Sequence, residues 1–323
     1  MGKHIVIGAI NWDKTLFVER FPKQGEEIRV ERIIGVPGGK GANIAVASAR
    51  ILGKEIVVLF GALGSDSVGR EQLKLLRKAG IITDLIQFVS EASGRAFIIV
   101  DSSNGNNCVL TFKRANDALN YEMINNNKNL LRHVRNSSLV TVVDPPIEVA
   151  EILISLAAEE EKIVVWAPGL LSSIGIEKLM AISEKVNYII LNESECSILT
   201  GVTNPLSAYR ILQKKIEGKE TKIVITRGHN GCVLIRTEDI ISIPTMNPLE
   251  FGLKIVNTVG SGDAFIGVFS AFKILGYDDI ESLSMANIAG TIKATREETR
   301  ASPTINEVRD YAKSVRIEYE AIF

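Results

Sequence analysis

The sequence contains few of the residues that build disulfide or metal sites. Its 323 residues include three cysteines and three histidines. The cysteines, Cys108, Cys196 and Cys232, are odd in number and widely spaced, so they predict neither a disulfide framework nor a zinc site. The histidines also lack the spacing of metal ligands. We therefore expect reduced cysteines in a cytoplasmic protein.

The sequence also lacks an excess of charge and any long apolar run. Its formal net charge is -1, whereas a nucleic-acid-binding face is normally strongly basic, so we do not expect nucleic acid as a partner. No run reaches the roughly 18 apolar residues that a membrane helix needs, so we expect no membrane partner. Because the first residues lead directly into an apolar run, we expect no signal peptide.

Apolar segments that are fit for strands buried on both faces recur along the chain. They cover residues 4–10, 57–63, 139–143, 162–166, 188–191 and 222–226. Helical patterns separate them, which predicts an α/β fold with a doubly wound, mostly parallel central sheet flanked by helices. The first of these segments is not followed by a G-x-G-x-x-G fingerprint, so a dehydrogenase-type dinucleotide binder ranks lowest among the alternatives.

A second type of strand alternates polar and apolar residues. Residues 27–34 have this character, and two further strands, 95–101 and 108–112, flank a turn-rich loop. They predict a small antiparallel sheet outside the main layer, which could act as a lid over an active site. We expect residues 1–323 to form a single domain, with the lid built from about 14–37 and 92–114.

Residues 257–265 read NTVGSGDAF and stand between a predicted strand, 252–256, and a predicted helix, 264–275. The first N–H groups of a helix have no partner inside it and favour an anion. An aspartate in such a turn is explained if it takes a proton from a hydroxyl that attacks a bound phosphate. Asp263 is therefore the candidate base, although a plain helix N-cap would give the same short pattern.

A second glycine-rich turn, PGGKGAN at residues 37–43, enters a predicted helix at 44–52. It is not a P-loop, because Ile34 stands where the first glycine should be and Gly41 replaces the serine or threonine. Its polar side chains, Lys40 and Asn43, are candidates for holding substrate hydroxyls.

Together these stretches resemble the ribokinase-like, or PfkB, family of sugar and nucleoside kinases, from about residue 4 to about residue 311. The motifs at 38–43 and 257–265 carry the resemblance, in this order and about 220 residues apart. Two further stretches, NESE at 192–195 and TRGHNG at 226–231, fall where the family has N-x-x-E and T-x-G-x-x-G elements.

The resemblance implies transfer of the ATP γ-phosphate to a primary hydroxyl of a ribose-like sugar, and a homodimer formed through the lid. It implies that Asp263 is the general base and that Gly260, Ser261 and Gly262 form the anion hole. Asn192 and Glu195 would act near Mg²⁺, largely through water.

The resemblance also assigns two binding sets. The nucleotide set is Thr226, Arg227, Gly228, Gly231 and Asn287. The sugar set is Asn11, Asp13, Gly38, Gly39, Lys40, Asn43 and Asp144.

The chain departs from the family where ribokinases bind a monovalent cation. Asn257 replaces the usual aspartate, and TREETRAS at 295–302 replaces a glycine-containing cation loop. These departures argue against potassium activation of the usual kind. We interpret 295–302 as a solvated charged stretch; the alternative is that Arg296 or Arg300 substitutes for the charge of the cation.

The acceptor stays open at this point. Lys113 and Arg114 leave a predicted lid strand and would bind a sugar acid or sugar phosphate if they face the site, or they are surface charges. A nucleoside is a further alternative acceptor. The alternative outside catalysis is an inactive sugar or nucleotide sensor, against which the retained Asp263 argues.

Overall fold

Strands and helices alternate along residues 2–103, 107–314 and 319–322, the part of the chain that the computed structural model describes. In chain order the strands are β1 Lys3–Gly8, β2 Asn11–Val18, β3 Val30–Gly38, β4 Val57–Gly64, β5 Ile86–Val89, β6 Gly94–Asp101, β7 Asn107–Phe112, β8 Ser137–Val143, β9 Ile163–Ala167, β10 Tyr188–Asn192, β11 Lys222–Thr226, β12 Cys232–Ile235, β13 Ile240–Ile243 and β14 Glu320–Ala321.

The helices surround these strands. They are α1 Lys40–Leu52, α2 Ser67–Lys78, α3 Tyr121–Asn125, α4 Lys128–Arg135, α5 Ile147–Glu159, α6 Ile176–Ser183, α7 Glu193–Thr200, α8 Pro205–Lys215, α9 Ser261–Ile274, α10 Asp279–Ala294 and α11 Ile305–Ser314. No described helix is long and apolar enough to cross a membrane.

The large sheet has the strand order β14-β13-β12-β11-β10-β9-β8-β1-β4-β5. The pairs from β11 to β5 are parallel, and those from β11 to β14 are antiparallel. Every residue of β4 is buried, as expected for a strand covered on both faces. Two apolar cores, one on each face, hold helices against the sheet. This confirms the mostly parallel sheet flanked by helices.

The small sheet has the order β3-β2-β6-β7. Its outer pairs are antiparallel, and its inner pair, β2 with β6, is parallel. The sequence did not predict β2 as a strand, although residues 14–18 fall within the stretch assigned to the lid. In the structure β1 ends at Gly8 and the chain turns almost at once into the lid. Part of the predicted hairpin loop, 104–106, lies outside the described residues.

Two element boundaries differ from the expectations. Both helices begin inside the glycine turns, since α1 begins at Lys40 and α9 begins at Ser261. The predicted strand at 252–256 is wrong: the segment joins no sheet. Instead, the N–H groups of Val256 and Asn257 both donate to the Ala294 carbonyl, at 2.8 and 3.0 Å. The segment before the anion turn is therefore attached to the end of α10.

A buried polar cluster joins the helices that carry the two glycine turns to the central sheet. His4 on β1 is completely buried, and its ring nitrogens lie 2.8 Å from the hydroxyls of Ser48 on α1 and Thr141 on β8. Thr141 in turn contacts the hydroxyl of Ser270 on α9 at 3.1 Å. Burial lowers the pKa of His4 to about 3, so the ring is neutral at physiological pH.

Candidate active site

The two glycine turns lie side by side because α1 and α9 pack closely. Gly267 on α9 faces the backbone of Ile44 and the side chain of Ala47, where a Cβ would clash. This approach brings the side chains of the two turns into contact: Asn43 Nδ2 donates to Asp263 Oδ2 at 2.8 Å. The predicted base therefore lies against a predicted sugar-binding residue that is 220 positions away in the sequence.

The turn at the start of α9 requires glycine. Gly260 has a φ of 85°, and a Cβ there would clash with the Thr299 carbonyl. The Ser261 N–H donates to the Thr258 carbonyl at 3.1 Å, whereas the N–H groups of Gly260, Gly262 and Asp263 have no acceptor within the described residues. The free donors at this end of the helix suit an anion.

The acceptor side of the site is built where the lid meets α1. Asp13 on β2 is 4% exposed and lies against Gly38, where any side chain would collide with its carboxylate. Asn11, at the start of the same strand, accepts a hydrogen bond from Asn116 Nδ2 at 2.9 Å. Gly39 has a φ of 92° and packs against the backbone next to Asn11. The glycines therefore let the lid strand approach α1.

Arg300 lies inside this site, which corrects the interpretation of 295–302 as solvated. Its guanidinium donates to Gly38 O at 2.7 Å, Asn43 Oδ1 at 3.2 Å and Gln72 Oε1 at 3.2 Å. Its charge interacts with Asp13 and with Asp263. The stretch folds back across the motif instead of extending into solvent, and Arg296 holds this fold by donating to Ser302 O at 3.2 Å and pairing with Glu307.

Burial perturbs both carboxyl groups of the cluster. Burial and the nearby Asp263 raise the pKa of Asp13 to about 7, while Arg300 acts in the opposite direction. Burial also raises the pKa of Asp263, and this rise is opposed by the hydrogen bond from Asn43 and by the charges of Lys40 and Lys293. The site thus holds two carboxyl groups whose pKa values are raised above the ordinary aspartate value, which is typical of catalytic clusters.

Lys40 and Asp144 complete the acceptor side. Lys40 Nζ lies 3.7 Å from Asp144 Oδ2, and Lys113 Nζ lies 4.0 Å from Asp144 Oδ1. Asp144 has a φ of 58°, which is uncommon for a residue other than glycine. Arg114 is not part of this group: it is exposed, with its guanidinium 5.1 Å from the Phe112 ring centre. Of these two cations, Lys113 therefore lies in the cleft beside Asp144, whereas Arg114 lies at the surface.

Asn192 and Glu195 cap helix α7 at the mouth of the same cleft. Asn192 Oδ1 accepts from the Glu195 N–H at 2.8 Å, and Glu195 Oε2 accepts from the Asn192 N–H at 3.0 Å. Both residues line a cleft together with Thr226, Gly262 and Asp263. One carboxylate and one amide fit a magnesium ion that keeps most of its waters.

The other predicted nucleotide residues follow β11. Arg227 is turned towards β13, where it donates to Ser242 Oγ at 2.7 Å. Gly228 and Gly231 have φ values of 55° and 77° and form the turn into β12. Asn287 is buried, and its amide donates to the Ile243 carbonyl at 3.0 Å. Arg227 and Asn287 therefore support the walls of this region, with Thr226 in the cleft itself.

Three positioning residues were missed by the sequence reasoning. Asn116 joins the end of β1 to the lid by accepting from the Ile10 N–H at 2.8 Å. Gln72 on α2 is fully buried and accepts from Arg300. Lys293 on α10 is fully buried beside the anion turn. A polar residue on the apolar side of a helix was the available signal for Gln72 and Lys293.

Comparison with known proteins agrees with this arrangement. The model of the pfkB family carbohydrate kinases matches residues 1–306. The chain belongs to the PfkB family. It is therefore a phosphotransferase that acts on a sugar hydroxyl, which confirms the resemblance based on the two glycine-containing motifs.

Individual PfkB relatives are similar over nearly the whole chain. A ribokinase from Dictyostelium discoideum is 31% identical over 322 residues, which cover 94% of this chain and 98% of the relative. The crystal structure of a Thermotoga maritima ribokinase has a TM-score of 0.82 at 25% identity, covering 97% of this chain and all of that chain. An Arabidopsis thaliana ribokinase complexed with ribose and ATP has a TM-score of 0.81 at 23% identity, covering 97% and 99%.

Removing the charge of Arg300 should shift the pH dependence of this kinase. Arg300 lowers the pKa of Asp13, so this pKa should be higher in the Arg300→Gln variant. As the pH falls, the variant should therefore lose activity before the wild type does. We expect the acid limb of the kcat/KM profile to move up by about one pH unit. The control is Arg135→Gln, which removes an exposed guanidinium that pairs with Glu160 outside the site. An unchanged acid limb in Arg300→Gln would contradict the coupling.

Proposed function

We propose that this PfkB kinase transfers the γ-phosphate of ATP to the primary hydroxyl of a ribose-like sugar, with Asp263 as general base. The observation that supports this proposal most directly is the 2.8 Å contact between Asn43 Nδ2 and Asp263 Oδ2. It places a carboxylate beside side chains suited to sugar hydroxyls and next to the unpaired N–H groups of α9.

The acceptor side offers unpaired acceptors to sugar hydroxyls. Asp13 Oδ1 and Asp144 Oδ1 are buried and accept no hydrogen bond from the described residues, although the Lys113 ammonium lies 4.0 Å from Asp144 Oδ1. Buried polar atoms are normally paired, so a ligand that donates hydroxyl hydrogens would satisfy both. A site of this kind also rejects analogues that lack those hydroxyls, because its polar groups would then stay unpaired.

Phosphoryl transfer would proceed between this acceptor and the start of α9. Asp263 accepts the proton of the attacking hydroxyl, a step worth about 10²–10⁴ in rate. The N–H groups of Gly260, Gly262 and Asp263, with Ser261 in the same turn, stabilise the charge on the transferred phosphate. The raised pKa of Asp263 makes it a stronger base than an exposed aspartate.

The nucleotide would bind on the other side of the cleft, near Thr226 and the turn at Gly228 and Gly231. The similar Arabidopsis protein was solved with ribose and ATP. Asn192 and Glu195 would hold Mg²⁺, which neutralises phosphate charge when it is bound. Arg227 and Asn287 would shape this side without reaching the phosphates.

The Asp263→Asn variant should lose phosphoryl transfer, because an amide cannot accept the proton. We expect kcat to fall by about 10² or more, with the fold and ADP binding retained. Steady-state kinetics and calorimetry with ADP measure the two effects. Asp310→Asn, at an exposed surface aspartate, is the control and should behave as wild type. Wild-type turnover in Asp263→Asn would exclude Asp263 as the base.

An ADP-release assay with a panel of acceptors tests the proposed substrate. The panel holds ribose, 2-deoxyribose, hexoses, nucleosides, sugar acids and sugar phosphates, and turnover with ribose is expected. The anionic alternative would depend on Lys113, which lies beside Asp144, and not on the exposed Arg114. If an anion is the acceptor, Lys113→Met should raise its KM at least about tenfold, and Arg114→Met should not. Absence of ADP release with every compound of the panel would contradict the proposal and favour a sensor.

We also propose that the lid forms a homodimer interface. Four large apolar side chains are exposed on the two edge strands of the lid: Ile33, Val109, Leu110 and Phe112. Monomers rarely expose such a group, so a second copy of the chain is the proposed cover. Sedimentation should give a dimer, and Leu110→Lys should give monomers, whereas Leu249→Lys, at an exposed leucine outside the lid, should not. A monomeric wild type would contradict the dimer.

A further inference from the structure

Lys293 carries a buried ammonium group that the proposed reaction does not yet use. It lies in the last turn of α10, and its side chain has no exposed surface. Its Nζ donates to the Asn257 carbonyl at 2.9 Å and to the Arg296 carbonyl at 3.4 Å. A buried charge is costly unless it is paired, and here both hydrogen-bond partners are backbone oxygens.

These carbonyls belong to the two segments that build the anion turn. Asn257 opens the motif: its Oδ1 accepts from the Val259 N–H at 3.0 Å, and its Nδ2 donates to the Glu297 carbonyl at 2.8 Å. The Thr299 carbonyl then packs against Gly260. The ammonium therefore lies where segments 257–260 and 293–299 pack together, beside the turn whose N–H groups face the cleft.

The other cations of this region bind elsewhere. Arg296 donates to the Ala301 and Ser302 carbonyls and pairs with Glu307. Arg300 reaches Gly38, Asn43 and Gln72 on the acceptor side. Among the hydrogen bonds of the described residues, neither arginine donates to the carbonyl of Asn257, which argues against the alternative that one of them substitutes for the charge of a cation there.

We infer that Lys293 is a built-in cation: its ammonium holds the carbonyls beside the anion turn and supplies the fixed positive charge that a bound potassium ion would otherwise provide there. This kinase should therefore work without any monovalent cation. The inference rests on the proposed role of the turn at Gly260 as the phosphate site. An ammonium group and a potassium ion have similar sizes, and carbonyl oxygens bind both.

Two charged groups face Lys293, namely Asp263 and Arg296. Burial lowers the pKa of Lys293 to about 8, Asp263 acts against this shift, and Arg296 adds to it. The same ammonium lowers the pKa of Asp263. The positive charge beside the turn should therefore be lost as the pH rises through about 8.

The wild-type enzyme gives the first test. Its kcat and its KM for ATP should be the same in potassium chloride and in tetramethylammonium chloride at equal ionic strength, because the latter cation is too large for a carbonyl site. Stimulation of the wild type by potassium would overturn the inference, and this comparison needs no variant.

The Lys293→Ala variant gives the second test, because it vacates the carbonyl site. In tetramethylammonium we expect kcat to fall by about 10²-fold, and potassium should restore at least about tenfold. Potassium should also raise the melting temperature of Lys293→Ala by about 1–2 °C at several times its Kd, and leave that of the wild type unchanged. The wild type should lose activity as Lys293 loses its proton at alkaline pH. The Lys293→Ala variant with potassium bound should not show this loss.

Lys273→Ala is the matched control. Lys273 lies at the other end of α9, where its Nζ donates to the Tyr277 carbonyl at 2.9 Å and pairs with Asp279. Its loss should create no response to potassium. A folded Lys293→Ala variant without a potassium response in both turnover and melting temperature would overturn the inference. The melting-temperature measurement needs no sugar acceptor. It therefore tests the role of Lys293 even if the proposed substrate is wrong.

Discussion

The active site depends on the burial of opposite charges in one small space. Asp13 and Asp263 need nearby cations to stay ionised, because desolvation raises both pKa values and a neighbouring carboxylate adds to each rise, Asp263 for Asp13 and Asp144 for Asp263. Arg300 and Lys293 are those cations, one on the acceptor side and one beside the anion turn. The cluster can therefore hold charge for catalysis at the inner end of the cleft.

Both cations come from one short stretch that joins otherwise separate parts of the site. Arg300 connects the end of the lid at Gly38 with α1 through Asn43 and with α2 through Gln72. Lys293 holds the segment that leads into the anion turn. Lid, acceptor side and phosphate side are thus fixed relative to one another by residues 293–300, and the chemistry of that stretch affects all three.

The sequence predicted the parts that follow from local pattern. The buried strands, the two glycine turns and the family follow from apolar runs and from motif spacing, and the structure and comparisons agree. The orientation of individual side chains could not be predicted in this way. Whether Lys113 or Arg114 faces the cleft, and whether Arg300 is solvated or buried, depends on how distant segments pack. Strand β2 was missed because its pairing partners lie elsewhere in the chain.

The most direct test of the charge cluster is a carboxyl-carbon NMR titration of the free protein labelled at aspartate. One resonance, absent from the Asp13→Asn variant, should titrate with a midpoint near pH 7. A midpoint there would establish that Asp13 is buried against Asp263 and held in balance by Arg300. If instead the Asp13 resonance titrates near pH 4, as an exposed aspartate does, the account of a buried and coupled cluster is contradicted.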